Sequence, residues 1–425
     1  MSTTVVSAAR IITGKPNEVI DDGALVYRGA TILWVGRVAE LPQEYAALPR
    51  RDFPGATIQP GFVETHAHLG TRPGEGPHVP DPTRHVQGWN ALHSVAVLRQ
   101  LASTGITSAQ SLGSRFYTDV AVREAVEQGY LDGPRIVAAG PMITTTGGHD
   151  WVDGGEVDSL DDIRHAVRDH HKAGVDVIKM AVTGGFFTPG TAQWKAQFTV
   201  DEIRTLVEEA HRLGKRVAVH AHGTQGIERA VEAGVDYIAH ATFISDDGTT
   251  QFVPQLADRI AEAGIYVDVA APPSFPRVPG ETIAPRAREL YERGVRIVTG
   301  HDIGAVIPAY GYIFGLKELE RAGIPRAEIL IAATSRAAAA IGLAGVTGVL
   351  EPQYAADFLV VQGNPLKNLD ALDTRLLTVI RGKEFHPDPL PKYCGRVEEP
   401  GKPHRPESEL AKRQRTLERQ HLQQW

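Results

Sequence analysis

Between residues 57 and 300, short apolar runs alternate with stretches whose apolar positions recur every three or four residues. The runs fall at 57–65, 105–110, 135–139, 176–181, 216–220, 236–240, 265–270 and 295–300. Each is too short for a helix and reads as a buried strand. The stretches between them carry helix signals. Thr199-Val-Asp-Glu202 is a capping box, followed by Ile203, Leu206, Val207, Ala210 and Leu213 at helical spacing, with Gly214 as the stop. Ser159-Leu-Asp-Asp162 opens another helix in the same way. Eight strands alternating with helices predict an α/β fold, a (β/α)8 TIM-like barrel, whose functional groups gather at the carboxyl ends of the strands.

The two ends of the chain have a different rhythm. Residues 1–55 hold short alternating runs with turn signals, and residues 346–390 resume that style. We read them as one small β-sandwich built from both termini, beside a barrel spanning 56–345. Residues 391–425 form a charged tail, helix-prone over 407–424, suited to a solvated helix or an arm onto a neighbouring subunit.

The chain has 425 residues, enough for one large domain and a smaller one. A formal net charge of −7 argues against a nucleic-acid or anionic-membrane partner. Cys394 is the single cysteine, so no intrachain disulfide forms and a reducing, cytoplasmic setting is expected. The first residues lack a basic start followed by an apolar core, and no apolar run reaches the length of a membrane helix, so neither a signal peptide nor a membrane span is expected.

Chemistry enters at the strand ends. His66 and His68 close the first run, Lys179 interrupts the fourth, His220 and His240 end the fifth and sixth, and Asp302 follows the eighth. Strand side chains alternate, so His66 and His68 share a side. Imidazole suits zinc, and also manganese, iron or cobalt in mixed sites. A lysine inside Val-Ile-Lys-Met points inward only at a large desolvation cost. It can snorkel to the rim, or lose its proton and take up CO2 as a carbamate able to bridge two metals. The charges agree with the second option. Two divalent ions bring four positive charges; a carbamate, Asp302 and one hydroxide remove three, leaving positive charge to polarise a carbonyl.

With these residues in place, the chain resembles the amidohydrolase superfamily, in the branch of imidazolonepropionases, Xaa-Pro-type dipeptidases, ochratoxin-hydrolysing amidases and phenylurea hydrolases. The matching stretches are Pro60-Gly-Phe-Val-Glu-Thr-His-Ala-His68, Gly174-Val-Asp-Val-Ile-Lys179, Val217-Ala-Val-His-Ala-His-Gly223, Gly234-Val-Asp-Tyr-Ile-Ala-His240 and Gly300-His-Asp302. The resemblance covers roughly residues 1–385. It implies that His66, His68 and Asp302 hold the more buried of two divalent ions, zinc by default. It implies that His220 and His240 hold the second, and that carbamylated Lys179 bridges. A shared hydroxide would then attack an amide-type carbonyl, with Asp302 as general base and then general acid. His222 competes with His220 for the ligand role; the resemblance favours His220 and leaves His222, with His149 of the glycine-rich Thr146-Gly-Gly-His149, for the substrate. One departure stands out: where Gly-Thr-Asp is common, this chain has Gly300-His301-Asp302, and His301 reads as packing, with an effect on the residues around the ligands as the alternative. The expected substrate is a small N-acyl amino acid, dipeptide, aryl amide, urea or carbamate, handled by a homo-oligomer. A cyclic-amide hydrolase or deaminase is the alternative, and an inactive metal-binding scaffold a more distant one. Arg72, Arg84 and Arg115 are candidates for a substrate carboxylate. Trp89, Trp151, Phe186, Phe187, Trp194 and Phe275 lie in the loops that would choose the substrate.

Overall fold

The computed structural model describes residues 2–70, 87–186, 188–269, 284, 286–304 and 308–389. The tail 391–425, Arg72, Arg84, Phe187 and Phe275 lie outside them. The chain opens with β1 (Thr3–Ile12), β2 (Val19–Arg28), β3 (Thr31–Arg37) and β4 (Arg50–Pro60). It continues through β5 (Phe62–Ala67), β6 (Ile106–Ser111), β7 (Arg135–Ala138), the short β8 (Ile143–Thr144) and β9 (Gly155–Glu156), and β10 (Val177–Ala181). Then come β11 (Arg216–Gly223), β12 (Tyr237–Ile244), β13 (Tyr266–Asp268) and β14 (Arg296–Val298), and finally β15 (Phe358–Gln362), β16 (Arg375–Ile380) and β17 (Lys383–Phe385).

Both termini build one sheet, in the order β17-β16-β15-β4-β1-β2-β3. It curls until its far edge meets its own beginning: Ala356 N–H donates to Ala30 O (2.8 Å) and Ile32 N–H to Tyr354 O (2.9 Å). The folded sheet is the expected sandwich. Val6, Ile11, Leu25, Ile58, Phe358, Val360 and Val379 fill its interior, all inaccessible to solvent. The alternation of apolar and polar positions that marked these segments is the two-sided pattern of such a sheet.

The barrel is formed by β5, β6, β7, β10, β11, β12, β13 and β14, and every direct pairing between neighbours is parallel. Two joints complete the ring. Asp176 N–H donates to Ala138 O (2.7 Å) between β7 and β10. Thr65 N–H donates to Thr299 O (3.0 Å), and Ala67 bridges Ile303, between β14 and β5. Helices pack outside, and their starts follow the sequence signals. Thr199 caps the helix Val200–Arg212 in a full capping box with Glu202, and Ser159 Oγ accepts from Asp162 N–H at the helix Leu160–Ala173. Such a cap contributes about 1 kcal/mol.

The first barrel strand departs from expectation. Residues 57–60 belong to the sandwich, where β4 pairs with β15, and the barrel begins at Phe62. The boundary expected at residue 55 thus falls inside β4. The switch follows from hydrogen bonding: Gly61 N–H still donates to Asp357 O (3.0 Å), whereas Phe62 N–H turns to Gly105 O (3.0 Å) at the foot of β6. No helix among the described residues is long and apolar enough to cross a membrane.

Candidate metal centre

The strand ends bring the ligand-type side chains to one mouth of the barrel. His66 and Lys179 are each 1 % exposed, and His149, His220, His222 and His240 are buried as well. Backbone strain gathers at the same place. Asp302, His240 and Ala241 adopt left-handed conformations (φ 55°, 75° and 44°) without being glycine. Each costs on the order of 1–3 kcal/mol and persists only where the surroundings over-determine it.

Three groups form. His66 Nε2 and His68 Nε2 lie 3.4 Å apart, and Asp302 Oδ1 is 3.4 Å from the first and 3.1 Å from the second. His66, His240 and Asp302 offer ligand atoms within 4.8 Å of one another, and so do His220, His222 and His240. Lys179 completes the set. Its Nζ is buried and has no hydrogen-bond partner among the described residues.

The proton positions suit ligation. His66 Nδ1–H donates to Asp268 Oδ2 (3.1 Å), leaving Nε2 with a lone pair facing Asp302 and His68. His220 Nε2–H donates to Gly184 O (3.1 Å), which leaves Nδ1 free. Burial pushes the His220 and His240 pKa values well below the ordinary 6.5, and neighbouring histidines push the same way. Burial and His149 take His222 to about 3. Burial brings Lys179 down from 10.5 to about 8, against the pull of Asp268 and Asp302. Asp302 moves the other way: burial raises it, but His66 and His68 outweigh that and leave it below the usual carboxylate range. The neutral imidazoles of His220, His222 and His240, the ionised Asp302 carboxylate and a partnerless buried amine form a donor set that fits divalent metal ions.

The residues that hold this set in place are mostly ones the sequence did not reveal. Asp268, fully buried at the end of β13, accepts from His66 and from Tyr237 OH (2.6 Å). Its only sequence signal is an acidic residue closing an apolar strand run. Gln197 ties the His149 loop to the end of β10: its Oε1 accepts from His149 N–H (2.8 Å), and its Nε2 donates to Ala181 O (2.7 Å). His149 Nδ1 lies 3.0 Å from Thr188 Oγ1, and its ring centroid is 4.4 Å from that of His220. His222 stacks on His240 at 4.3 Å and approaches Thr242 Oγ1 at 2.5 Å through Nδ1. His149 thus lies beside His220, and His222 beside His240, where His222 is itself within ligand reach. Phe186 stands edge-on to His222 at 4.8 Å and is 41 % exposed. Arg115 instead donates to Val152 O. His301 packs against Tyr312 and pairs with buried Glu64.

Comparison with known proteins gives a consistent picture. A model described as the amidohydrolase family matches residues 57–385. Ochratoxinase from Aspergillus niger is 26% identical over 408 residues, covering 86% of this chain and 82% of that protein. The crystal structure of a Xaa-Pro dipeptidase with methionine bound in its active site superposes with a TM-score of 0.80. It is 26% identical and covers 90% of this chain and 100% of the other. A putative prolidase from Bifidobacterium longum gives a TM-score of 0.74 at 27% identity, over 92% of this chain and 96% of that one.

Proposed function

The chain belongs to the amidohydrolase family and is a hydrolase of carbon–nitrogen bonds, and from that premise we propose that it cleaves an amide-type bond in a small molecule with the help of two divalent metal ions. The substrate class is an N-acyl amino acid, a dipeptide, or an aryl amide, urea or carbamate. The observation that carries the two-metal reading is Lys179, whose Nζ is buried without a hydrogen-bond partner and interacts electrostatically with His68, His220, His240 and Asp302.

In this reading His66, His68 and Asp302 would hold one ion and His220 and His240 the other, with Lys179, as its carbamate, supplying a further anionic oxygen donor. Zinc is the default; manganese, iron and cobalt suit the same donors. Bound ions supply positive charge that polarises a carbonyl and acidifies a water. The carbamate forms when neutral Nζ attacks CO2 and one proton leaves; a pKa near 8 keeps part of the amine neutral at physiological pH. Asp302 accepts the proton of the attacking water at a carboxylate oxygen and delivers it to the leaving nitrogen. Asp268 and Tyr237 fix the tautomer and direction of His66. His149 and His222 contact the substrate beside the scissile bond, and Phe186 offers an aromatic edge that favours an apolar acyl or amine group.

A panel of N-acyl amino acids, Xaa-Pro dipeptides, aryl amides, phenylureas and cyclic amides tests the reading. Turnover of an acyclic amide, lost on chelation and restored by metal, is expected. A metal-loaded protein that turns over only cyclic amides, or nothing, would contradict it.

A further inference from the structure

Glu64 and His301 lie outside the ligand set, yet they bind the two strands that carry it. Glu64 is fully buried in β5, and His301 is 1 % exposed just beyond β14. One Glu64 oxygen, Oε1, accepts from His66 N–H (2.7 Å) and from His301 N–H (2.9 Å). The other, Oε2, lies 2.9 Å from His301 Nδ1, which donates to it. A single carboxylate thus grips residue 301 by backbone and side chain together, and grips residue 66 by its backbone. The next residue after His301 is Asp302, whose φ of 55° is a conformation that a non-glycine residue holds only under constraint. The barrel closes at this seam, where Ile303 N–H donates to His66 O (3.0 Å).

The outer helix leaves room for the device. The His301 ring packs 4.7 Å from that of Tyr312, and a Cβ on Gly315 would overlap its Nε2 and Cδ2 atoms. Gly315 lies in the helix Tyr312–Arg321, where glycine is otherwise unfavourable relative to alanine.

We propose that Glu64 and His301, with the space left by Gly315, are positioning residues that set the Asp302 carboxylate against His66 for metal binding. The inference rests on the assignment of His66 and Asp302 as ligands. It makes metal affinity depend on a helical glycine that touches no ligand.

The test uses full-length protein stripped of metal and titrated with Co(II) against a chromophoric chelator, with the Co(II) absorption spectrum as second readout. His301→Thr, Glu64→Gln and Gly315→Ala should each weaken Co(II) binding by about 10- to 100-fold and alter the spectrum, at temperatures where the protein stays folded. The double variant His301→Thr/Gly315→Ala should bind like His301→Thr alone, because the alanine then has no ring to displace. If His301→Thr does not fold, Glu64→Gln and Gly315→Ala carry the same expectation. Wild-type affinity and spectrum in Glu64→Gln, or a Gly315→Ala penalty that persists without the imidazole, would overturn the pair. A wild-type protein that binds no Co(II) would instead refute the ligand assignment beneath it.

Discussion

At Asp302 one carboxylate oxygen lies 3.4 Å from His66 in β5 and 3.1 Å from His68 just beyond it, so in the proposed reading ligation and proton transfer fall on the same carboxylate. Asparagine at this position keeps the size and one oxygen but cannot take a proton. Asp302→Asn should therefore retain most of its metal and lose at least about 10³-fold in kcat, with KM little changed. Steady-state kinetics beside metal analysis checks this; more than about a tenth of wild-type kcat with both ions bound would move the base elsewhere. Lys179 gives a separate prediction in the metal-free, CO2-free protein. Its folded pKa, about 8, lies below the 10.5 of the unfolded chain. Below about 8 both states carry the proton and the full cost of burying an ammonium is present. Between about 8 and 10.5 the unfolded chain binds more protons, so stability rises with pH. Lys179→Met lacks that term. Denaturant midpoints of the two proteins, compared across this window, should converge toward or cross in favour of the wild type as pH rises. A difference independent of pH would mean that Lys179 is not buried as an amine.

The loop after β10 shows how an element turns strand ends into a site. Gly184 O fixes His220, Thr188 Oγ1 approaches His149, and a Cβ on Gly185 would overlap the His149 ring. Gly185→Ala should therefore displace His149, raise KM by about tenfold and leave metal content unchanged, whereas loss of metal would place His149 among the ligands. Elements also decide what the sequence discloses. The barrel strands and the candidate residues His66, His68, Lys179, His220, His240 and Asp302 are legible because each lies at the end of a local apolar run or, for Lys179, interrupts one. Asp268 is not, because its role exists only through a partner 202 residues away. The same holds for Glu64 with His301, 237 residues apart, and for Gln197, which works through backbone groups. The split of residues 57–65 between sandwich and barrel was hidden for a related reason: pairing partners, here β15 for one half and β6 for the other, are not written in either strand.

Across the whole molecule the sandwich and barrel are tied at buried Asp357. It accepts from Arg381 N–H (2.7 Å) and Thr347 Oγ1 (2.9 Å) and pairs with Arg135 of β7 (3.3 Å). The barrel is thereby anchored on the side from which β4 enters β5, and β5 carries His66 and leads directly into His68. A closed parallel barrel would hold the six proposed ligands, drawn from five barrel strands, at the fixed separations that a metal pair requires. The account stands on that pair. The most direct measurement titrates metal-free protein with Zn(II) in bicarbonate buffer while following hydrolysis of an amide that the native enzyme turns over. No activity without metal and a plateau at about two ions per chain are expected. Full activity at one ion or fewer, or in the metal-free protein, would contradict the two-metal reading.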